Sequence, residues 1–432
     1  MSALRAAARS TFRSLRVRNY RIYFVAQIVS VSGTWMQSIA QGWLVLRLAP
    51  AGRSGIDLGI VFALQFVPML LFGAYGGLIA DRVDKRRLLY ATQGTAGVLA
   101  LVLGLLTATG SVVLWEVYLL ALGLGFVNMF DNPARQTFVI ELVGKDDLPN
   151  AVSLNSVLMN GARVVGPAIG GILIATVGLA ACFLVNAASY VAVIIGLSLM
   201  DGRALHRTGT VERAKGQLRA GLRYVWRTPG IRDPLLLVAV VGTLAYNFMV
   251  LLALFAKYTF GGGAGAYSAL TACMGAGAVV GGLVVAGRNR PNIHRLTAIG
   301  MVFGSLICVL ALSPTLAVAL VVVIPMGAFS IAFIATANAT LQLRSDPSMR
   351  GRVMALYAIA FLGTTPIGAP LVGWIASATN PRVAFLVGGV STVVAAAVTL
   401  LRHRRDHARA AEATAQREPA EGAEPGTELG VA

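Results

Sequence analysis

One cation, Arg163, stands in a long stretch with no other charge, with Asn160 one helical turn before it and Asn155 about two turns before it. A charge in the middle of a membrane is costly and faces a cavity or a partner. The three side chains would line an aqueous path, where Arg163 would bind an anionic substrate group or hold a carboxylate whose proton affinity changes. A locally paired or snorkelling arginine is the plainer reading of the same residue. Gln37 and Gln41 lie one turn apart, with Gln27 and Trp35 nearby on the same segment. Gln65, Asn186, Tyr246, Asn247, Asn338 and Tyr357 add amides and aromatic rings in other apolar segments. Such a set suits an amphipathic organic ligand better than a sugar or an inorganic ion, although each alone is more readily explained by helix packing than by substrate contact.

Proton exchange needs a carboxylate reachable from both sides of a membrane, and burial favours its protonated form. Asp57 and Glu116 are the first candidates. Asp131, paired with Arg135, is a candidate gate. Chemistry of other kinds finds no support. His206, His294, His403 and His407 form no triad or metal set, and Cys182, Cys273 and Cys308 have no ligand spacing. No GxxxxGK[ST] string is present. The expectation is a non-enzyme with no cofactor and no metal.

The elements that would position these residues are membrane spans. The chain is 56% apolar and 12% charged, against about 25% charge in a soluble domain. Residues 22–46, 58–80, 88–115, 164–200, 258–287, 296–343 and 353–381 carry no Asp, Glu, Lys or Arg. A helix of about 20 such residues crosses a bilayer. The 164–200 and 296–343 runs are long enough for two crossings each, with turns at Gly178 and Ser313-Pro314. Taken as twelve spans, they leave every Lys and Arg on one side except Arg47, Arg53, Lys257, Arg382 and the intramembrane Arg163. That asymmetry places both termini in the cytoplasm of a bacterial inner membrane. The net charge of +18 then orients the chain and meets anionic lipid, and nucleic acid is not expected as a partner.

The division expected is a cytoplasmic segment over 1–19, a six-helix half over 20–200, a linker over 201–233, a second half over 234–401 and a disordered tail over 402–432. Ala151–Gly171 and Val353–Gly373 resemble each other, aligning Leu154 with Leu356, Gly166 with Gly368 and Gly171 with Gly373. Paired repeats of this kind are common in carriers that rock about a central site. In the linker, Leu218, Leu222 and Val225 recur at helical spacing among Arg219, Arg223 and Arg227, with Tyr224 and Trp226 suited to the headgroup region. This predicts an amphipathic helix on the cytoplasmic membrane face.

The segment GGLIADRVDKRR, Gly76 to Arg87, resembles the signature between spans 2 and 3 of the major facilitator superfamily. Gly77, Asp81, Arg82, Lys85, Arg86 and Arg87 match it, and Asp84 departs from the usual glycine. The resemblance implies an all-α polytopic fold of twelve transmembrane helices in two pseudo-symmetric halves, with this loop as a breakable latch. NGARVVGPAIGG resembles the antiporter branch and makes Gly166, Pro167, Gly170 and Gly171 a pivot, which Gly368 and Pro370 repeat in span 11. GFVNMFDNPARQTFVIELVGKDDLPNAVSLNS resembles bacterial efflux carriers that include siderophore exporters and macrolide-efflux-like permeases. There Asn132-Pro133 would close the fourth span, with Asp131 and Arg135 at its cytoplasmic mouth.

The reading is a proton-coupled exporter of a small amphipathic organic compound, a drug, siderophore or metabolite, acting as a monomer by alternating access. An importer or lipid translocator of the same fold, or a membrane scaffold or sensor without transport, are the alternatives.

Overall fold

The computed structural model describes residues 12–206, 217–288, 291–361 and 363–415, with the backbone alone at 74, 81, 217–220, 285–288, 407 and 410–415. Every regular element among them is helical. Ten helices among the described residues are long and apolar enough to cross a membrane, so the protein is an all-α polytopic membrane protein.

A first group holds α1 (Arg18–Leu48), α2 (Ser54–Arg82), α3 (Lys85–Ala108), α4 (Leu114–Thr176) and α5 (Leu179–Ser198). A short helix, α6 (Gln217–Arg227), leads to a second group. This comprises α7 (Pro229–Val240), α8 (Phe248–Leu254), α9 (Ala264–Arg288), α10 (Ile293–Ala311), α11 (Leu316–Arg344), α12 (Arg350–Phe361), α13 (Thr365–Ala378) and α14 (Pro381–Ala415). The pairings repeat between the groups. α2 packs on α4 as α9 packs on α11, and α3 packs on α5 as α10 packs on α14. α2 meets α13 and α4 meets α9 across the groups.

The chain turns at Gly178, whose φ of 109° a side chain would resist, and between Ala311 and Leu316. α1 is not among the ten apolar helices, because it carries polar residues such as Gln27, Ser30, Gln37 and Gln41, which are buried along it. Its amides and hydroxyls face neighbouring helices rather than lipid.

The fourth span does not close at Asn132-Pro133. α4 continues through both residues for 63 residues in all and breaks at Gly144, where φ is 72°. A proline costs its helix one N–H, and the carbonyl released here belongs to Met129. Gly76 of α2 receives it, and a Cβ at that glycine would stand 2.6 Å from the oxygen. Just before Gly144 the helix is held by the His206 N–H, which donates to the Glu141 carbonyl at 2.8 Å.

Two spans of the second group are discontinuous. Between α7 and α8 lie a π-turn over Val241–Ala245 and the non-helical Tyr246 and Asn247. Between α12 and α13 the helix is interrupted near Gly363. The two breaks meet, since a Cβ on Gly242 would lie 2.9 Å from both the Phe361 carbonyl and Thr364 Oγ1.

The linker helix sits against the second group. Val225 is buried and Tyr224 Oη accepts the Asp346 N–H at 3.2 Å, while Leu222, Arg223, Trp226 and Arg227 are exposed. The expected side chains Leu218 and Arg219 lie outside the described residues. The segment expected to be disordered from 402 onward begins as helix, because α14 runs on to Ala415. Its alanine-rich sequence favours helix. Residues 416–432 and 1–11 lie outside the described residues.

Candidate functional site

A cavity of about 380 Å³ opens among the helices of the first group, walled by Trp35, Gln65, Gln93, Asp131, Arg135 and Tyr190, with Met249 contributed by the second group. Asp131 is 4% exposed. Its Oδ1 accepts from Thr92 Oγ1 at 2.7 Å and from Gln93 Nε2 at 2.8 Å. Its Oδ2 pairs with Arg135 Nε one turn along the helix, and Arg135 Nη1 donates to Gln27 Oε1. The network joins α1, α3 and α4 around one ion pair. Burying such a pair costs desolvation unless hydrogen bonds satisfy its remaining groups, and Thr92, Gln93 and Gln27 do that here.

Arg163 lies behind Trp35, with its guanidinium carbon 5.0 Å from the ring centre. The Tyr246 hydroxyl is within hydrogen-bonding reach of Arg163 and Ser330. Arg163 Nε is buried with no hydrogen-bond partner. The residue therefore stands where the two groups meet and carries a donor free for a further acceptor.

The other amides divide by role. Gln65 Nε2 donates to Gln41 Oε1 at 3.2 Å, and Asn186 Nδ2 donates to Gln37 Oε1 at 2.7 Å, so Gln37, Gln41 and Asn186 tie helices together. Asn160 Nδ2 turns back to the Ser156 carbonyl and Asn247 Nδ2 to the Thr243 carbonyl. Asn155 is half-buried, Asn338 Oδ1 accepts from Gln342 Nε2 at 2.6 Å, and the Tyr357 hydroxyl points to the Ile334 carbonyl at 3.4 Å. Among the expected polar residues, Trp35, Gln65, Asp131 and Arg135 are brought to one cavity.

The two first-ranked carboxylates lie elsewhere. Glu116 Oε2 accepts the Val113 N–H at 3.0 Å and caps α4. Asp57 is 1% exposed. Its Oδ1 accepts from the Tyr118 hydroxyl at 3.0 Å, Arg53 lies 3.7 Å away, and Oδ2 has no partner. Neither residue walls the cavity.

The basic loop after α2 acts within the first group. Lys85 Nζ pairs with Glu141 Oε1 at 2.9 Å, both side chains being 9% exposed. Arg86 donates to the Leu197 and Ser198 carbonyls at the end of α5. Asp84, the departure from the family pattern, accepts the Arg87 N–H at 3.0 Å and caps α3. Arg82 and Arg87 are exposed, and the side chain of Asp81 lies outside the described residues.

Contacts between the groups gather at the helix ends opposite the termini. The Gly55 N–H donates to Ser377 Oγ at 3.0 Å, Tyr258 Oη donates to Ser54 Oγ at 2.6 Å and Lys257 Nζ donates to the Leu46 carbonyl. Gly59 lies on Pro370, Gly171 on Ser268, and the Arg163 carbonyl on Gly275. Gly166 and Gly170 pack on Trp35 and Met36 of α1, and Gly368 on the Thr243 carbonyl. Pro167 lies within α4 and Pro370 within α13. The residues expected to form a pivot thus hold close backbone contacts, some within a group and some across.

Sequence reasoning passed over Thr92, Gln93 and Tyr190. Each sits in an uncharged run like any other polar residue, and the partner that gives the first two their role, Asp131, is distant in the chain. Spacing gave no signal for them.

Solved structures similar to this chain are carriers. A bacterial homologue of the human lysosomal transporter Spinster, inward-facing and unoccupied, superposes with a TM-score of 0.72 at 15% identity, covering 90% of this chain and 97% of that one. A mutant form of the nucleoside transporter NupG gives 0.71 at 15% identity, covering 89% and 98%. These likenesses show the fold. In sequence, the staphyloferrin A transporter of Staphylococcus aureus is 31% identical over 181 residues, 41% of this chain and 45% of that protein. The MFS-type transporter YfiS of Bacillus subtilis matches over 51% of its length, so the chain spans about half of these two relatives. The multidrug efflux pump Tap of Mycolicibacterium fortuitum is 27% identical, covering 84% of this chain and 90% of Tap. The enterobactin exporter EntS of Shigella flexneri is 24% identical, covering 88% and 91%. A profile described as transmembrane secretion effector matches residues 9–425, and the chain belongs to that family of major facilitator transporters.

Proposed function

We propose that this protein exports a small amphipathic organic compound by alternating access, in exchange for protons, across a bacterial inner membrane. The observation that carries the reading is the buried Asp131–Arg135 pair on the wall of the cavity. An ion pair that is sealed in one state and opened in another gives a proton a place to compete. With Asp131 ionised, Arg135 is neutralised and the cavity wall is closed. A donor on the cargo and a proton compete for the Asp131 carboxylate, so protonation of Asp131 discharges the cargo and leaves the Arg135 guanidinium a donor without its counter-charge. Arg163, with its unpartnered Nε, offers a second such donor beside Trp35. Asp57, buried with one oxygen unpartnered, is the runner-up for the coupling role. Glu116 is assigned to capping.

Twelve crossings follow when α4 is divided at Gly144 and α1 is counted with the ten apolar helices. The repeated pairings of α2–α4 with α9–α11 and of α3–α5 with α10–α14 support two related halves, over 20–200 and 234–401. The positive-inside pattern supports a cytoplasmic location for the termini and for the basic loop at Arg82–Arg87. The contacts between groups, which lie opposite the termini, support a carrier sealed outside and open inside. One chain supplies both halves, which supports a working monomer. Leu222 and Trp226 of α6, exposed between Arg223 and Arg227, suit an anionic lipid surface. The siderophore and drug carriers among the relatives support export of a compound of that kind.

The test is transport by purified protein in proteoliposomes, with siderophores, macrolides and lipophilic cations, with and without a pH gradient. Gradient-driven movement that Asp131→Asn uncouples and Glu116→Gln preserves is the expected result. Gradient dependence intact in Asp131→Asn and lost in Asp57→Asn would move the coupling site to α2.

A further inference from the structure

We propose that the groove between α3 and α5 is a lateral portal, through which an amphipathic compound dissolved in the bilayer reaches the Asp131 cavity past Gln93 and Tyr190. The groove has a volume of about 470 Å³ and lies on the outer wall of the first group. Gly94, Val98 and Leu101 of α3 face Val191 of α5 across it. Val98 and Val191 are 58% and 52% exposed, and in a membrane that apolar exposure meets lipid chains. Beyond its own stretch of helix, no atom lies within 4 Å of the position a Cβ would take on Gly94, so the floor of the groove is open at that point.

Gln93 and Tyr190 wall both the groove and the cavity. They belong to the partition between the two. Tyr190 is loosely held, and Gln93 is held on one side only. The Tyr190 hydroxyl faces Thr34 Oγ1 at 3.5 Å, long for a bond between hydroxyls. Gln93 is 1% exposed and gives its Nε2 to Asp131, yet its Oε1 has no hydrogen-bond partner. A buried carbonyl left unpaired is rare in a settled core. Placed between a lipid-facing groove and a polar cavity, it is an acceptor waiting for a donor. The ligand it fits has an apolar body for the groove and a hydroxyl, amide or ammonium N–H or O–H for Gln93 Oε1. Because the same Gln93 holds Asp131, arrival of that donor would disturb the ion pair. This last link rests on the transport reading; the portal itself does not.

The experiment uses full-length protein in liposomes with Cys182, Cys273 and Cys308 replaced by alanine. Thr34→Cys reports on the cavity side of the partition. N-dodecylmaleimide, delivered from the bilayer, is expected to label it. Filling the groove with Gly94→Phe, or from the facing helix with Ala188→Phe, is expected to slow that labelling about tenfold, equivalent to ~1.4 kcal/mol on the barrier. Labelling of the same cysteine by water-borne N-ethylmaleimide is expected to be unchanged, which certifies an intact cavity in whichever plugged variant is scored. Equal dodecylmaleimide rates with and without a plug would overturn the portal, since the reagent would then arrive by another route. So would labelling of Gly94→Cys with none at Thr34→Cys. Turnover is not part of the readout. A protein that passes the reagent but moves no cargo would keep the portal and lose the transport reading.

Discussion

The carbonyl of Arg163, released by the missing N–H of Pro167, rests on Gly275 of the opposite group, where a Cβ would stand 2.9 Å from its oxygen. The same arrangement occurs twice more, and reciprocally, between α2 and α4. Pro68 frees the Leu64 carbonyl onto Gly125, and Pro133 frees the Met129 carbonyl onto Gly76. A carbonyl without its helical partner gains from Cα–H contacts with a close neighbouring backbone. Proline on one helix and glycine on the next therefore act as one device.

Gly125→Ala is expected to destabilise the protein, because its Cβ would lie 2.7 Å from the Leu64 carbonyl oxygen. The loss should be about 1–3 kcal/mol, as for overpacking elsewhere. Gly161→Ala has nothing within 4 Å and should gain about 0.5–1 kcal/mol as a helix interior site. Thermal unfolding in detergent checks both; a Gly125→Ala protein as stable as the parent would remove the device.

Lys85 and Glu141 are both nearly fully buried, so removing one partner should cost more than removing both. Lys85→Met is expected to lose about 3–5 kcal/mol. Adding Glu141→Leu should recover most of it. Additive losses in the double variant would contradict the pairing.

Arg163→Lys should not rescue Arg163. The stack on Trp35 uses a planar guanidinium, which an ammonium does not reproduce. For an anionic substrate, Arg163→Gln and Arg163→Lys should both raise KM about tenfold with little change in maximal rate, as expected for lost ground-state binding. A selective fall in maximal rate would instead assign Arg163 to the motion between groups.

Gly171→Cys with Ser268→Cys places two thiols across the seam of α4 and α9, where a Cβ on residue 171 would meet the Ser268 Cβ at 2.7 Å. A slight parting of the helices gives disulfide geometry. In a background free of Cys182, Cys273 and Cys308, oxidation should stop transport and reductant should restore it. Undiminished transport by the oxidised, cross-linked protein would show that this seam does not open.

The spans were legible because charge is expensive in lipid, so ends announce themselves at Arg82, Lys85 or Arg288, while Gly178 and Ser313-Pro314 mark turns inside uncharged runs. Arg163 was legible for the same reason. The turn after the fourth span was not, since Asn132-Pro133 has the composition of a stop, and the close approach of Gly76 to the carbonyl that Pro133 releases is tertiary information. Glu116 and Asp57 stood out by charge alone. What separates a capping carboxylate from one in a cavity is which helix lies opposite, and that is tertiary information. Gln93 shows the limit most plainly, because its importance comes from Asp131 and Tyr190, both distant in sequence.

A seam of carbonyls and glycines also has an evolutionary consequence. It places no side chain between the helices, so on the transport reading selection can rewrite the cavity wall at Gln65 or Tyr190 without retuning the backbone contacts between the two groups. Diversifying what is carried and preserving how it is carried become separate tasks. A lineage built this way can change its cargo by a few substitutions while inheriting its moving parts intact.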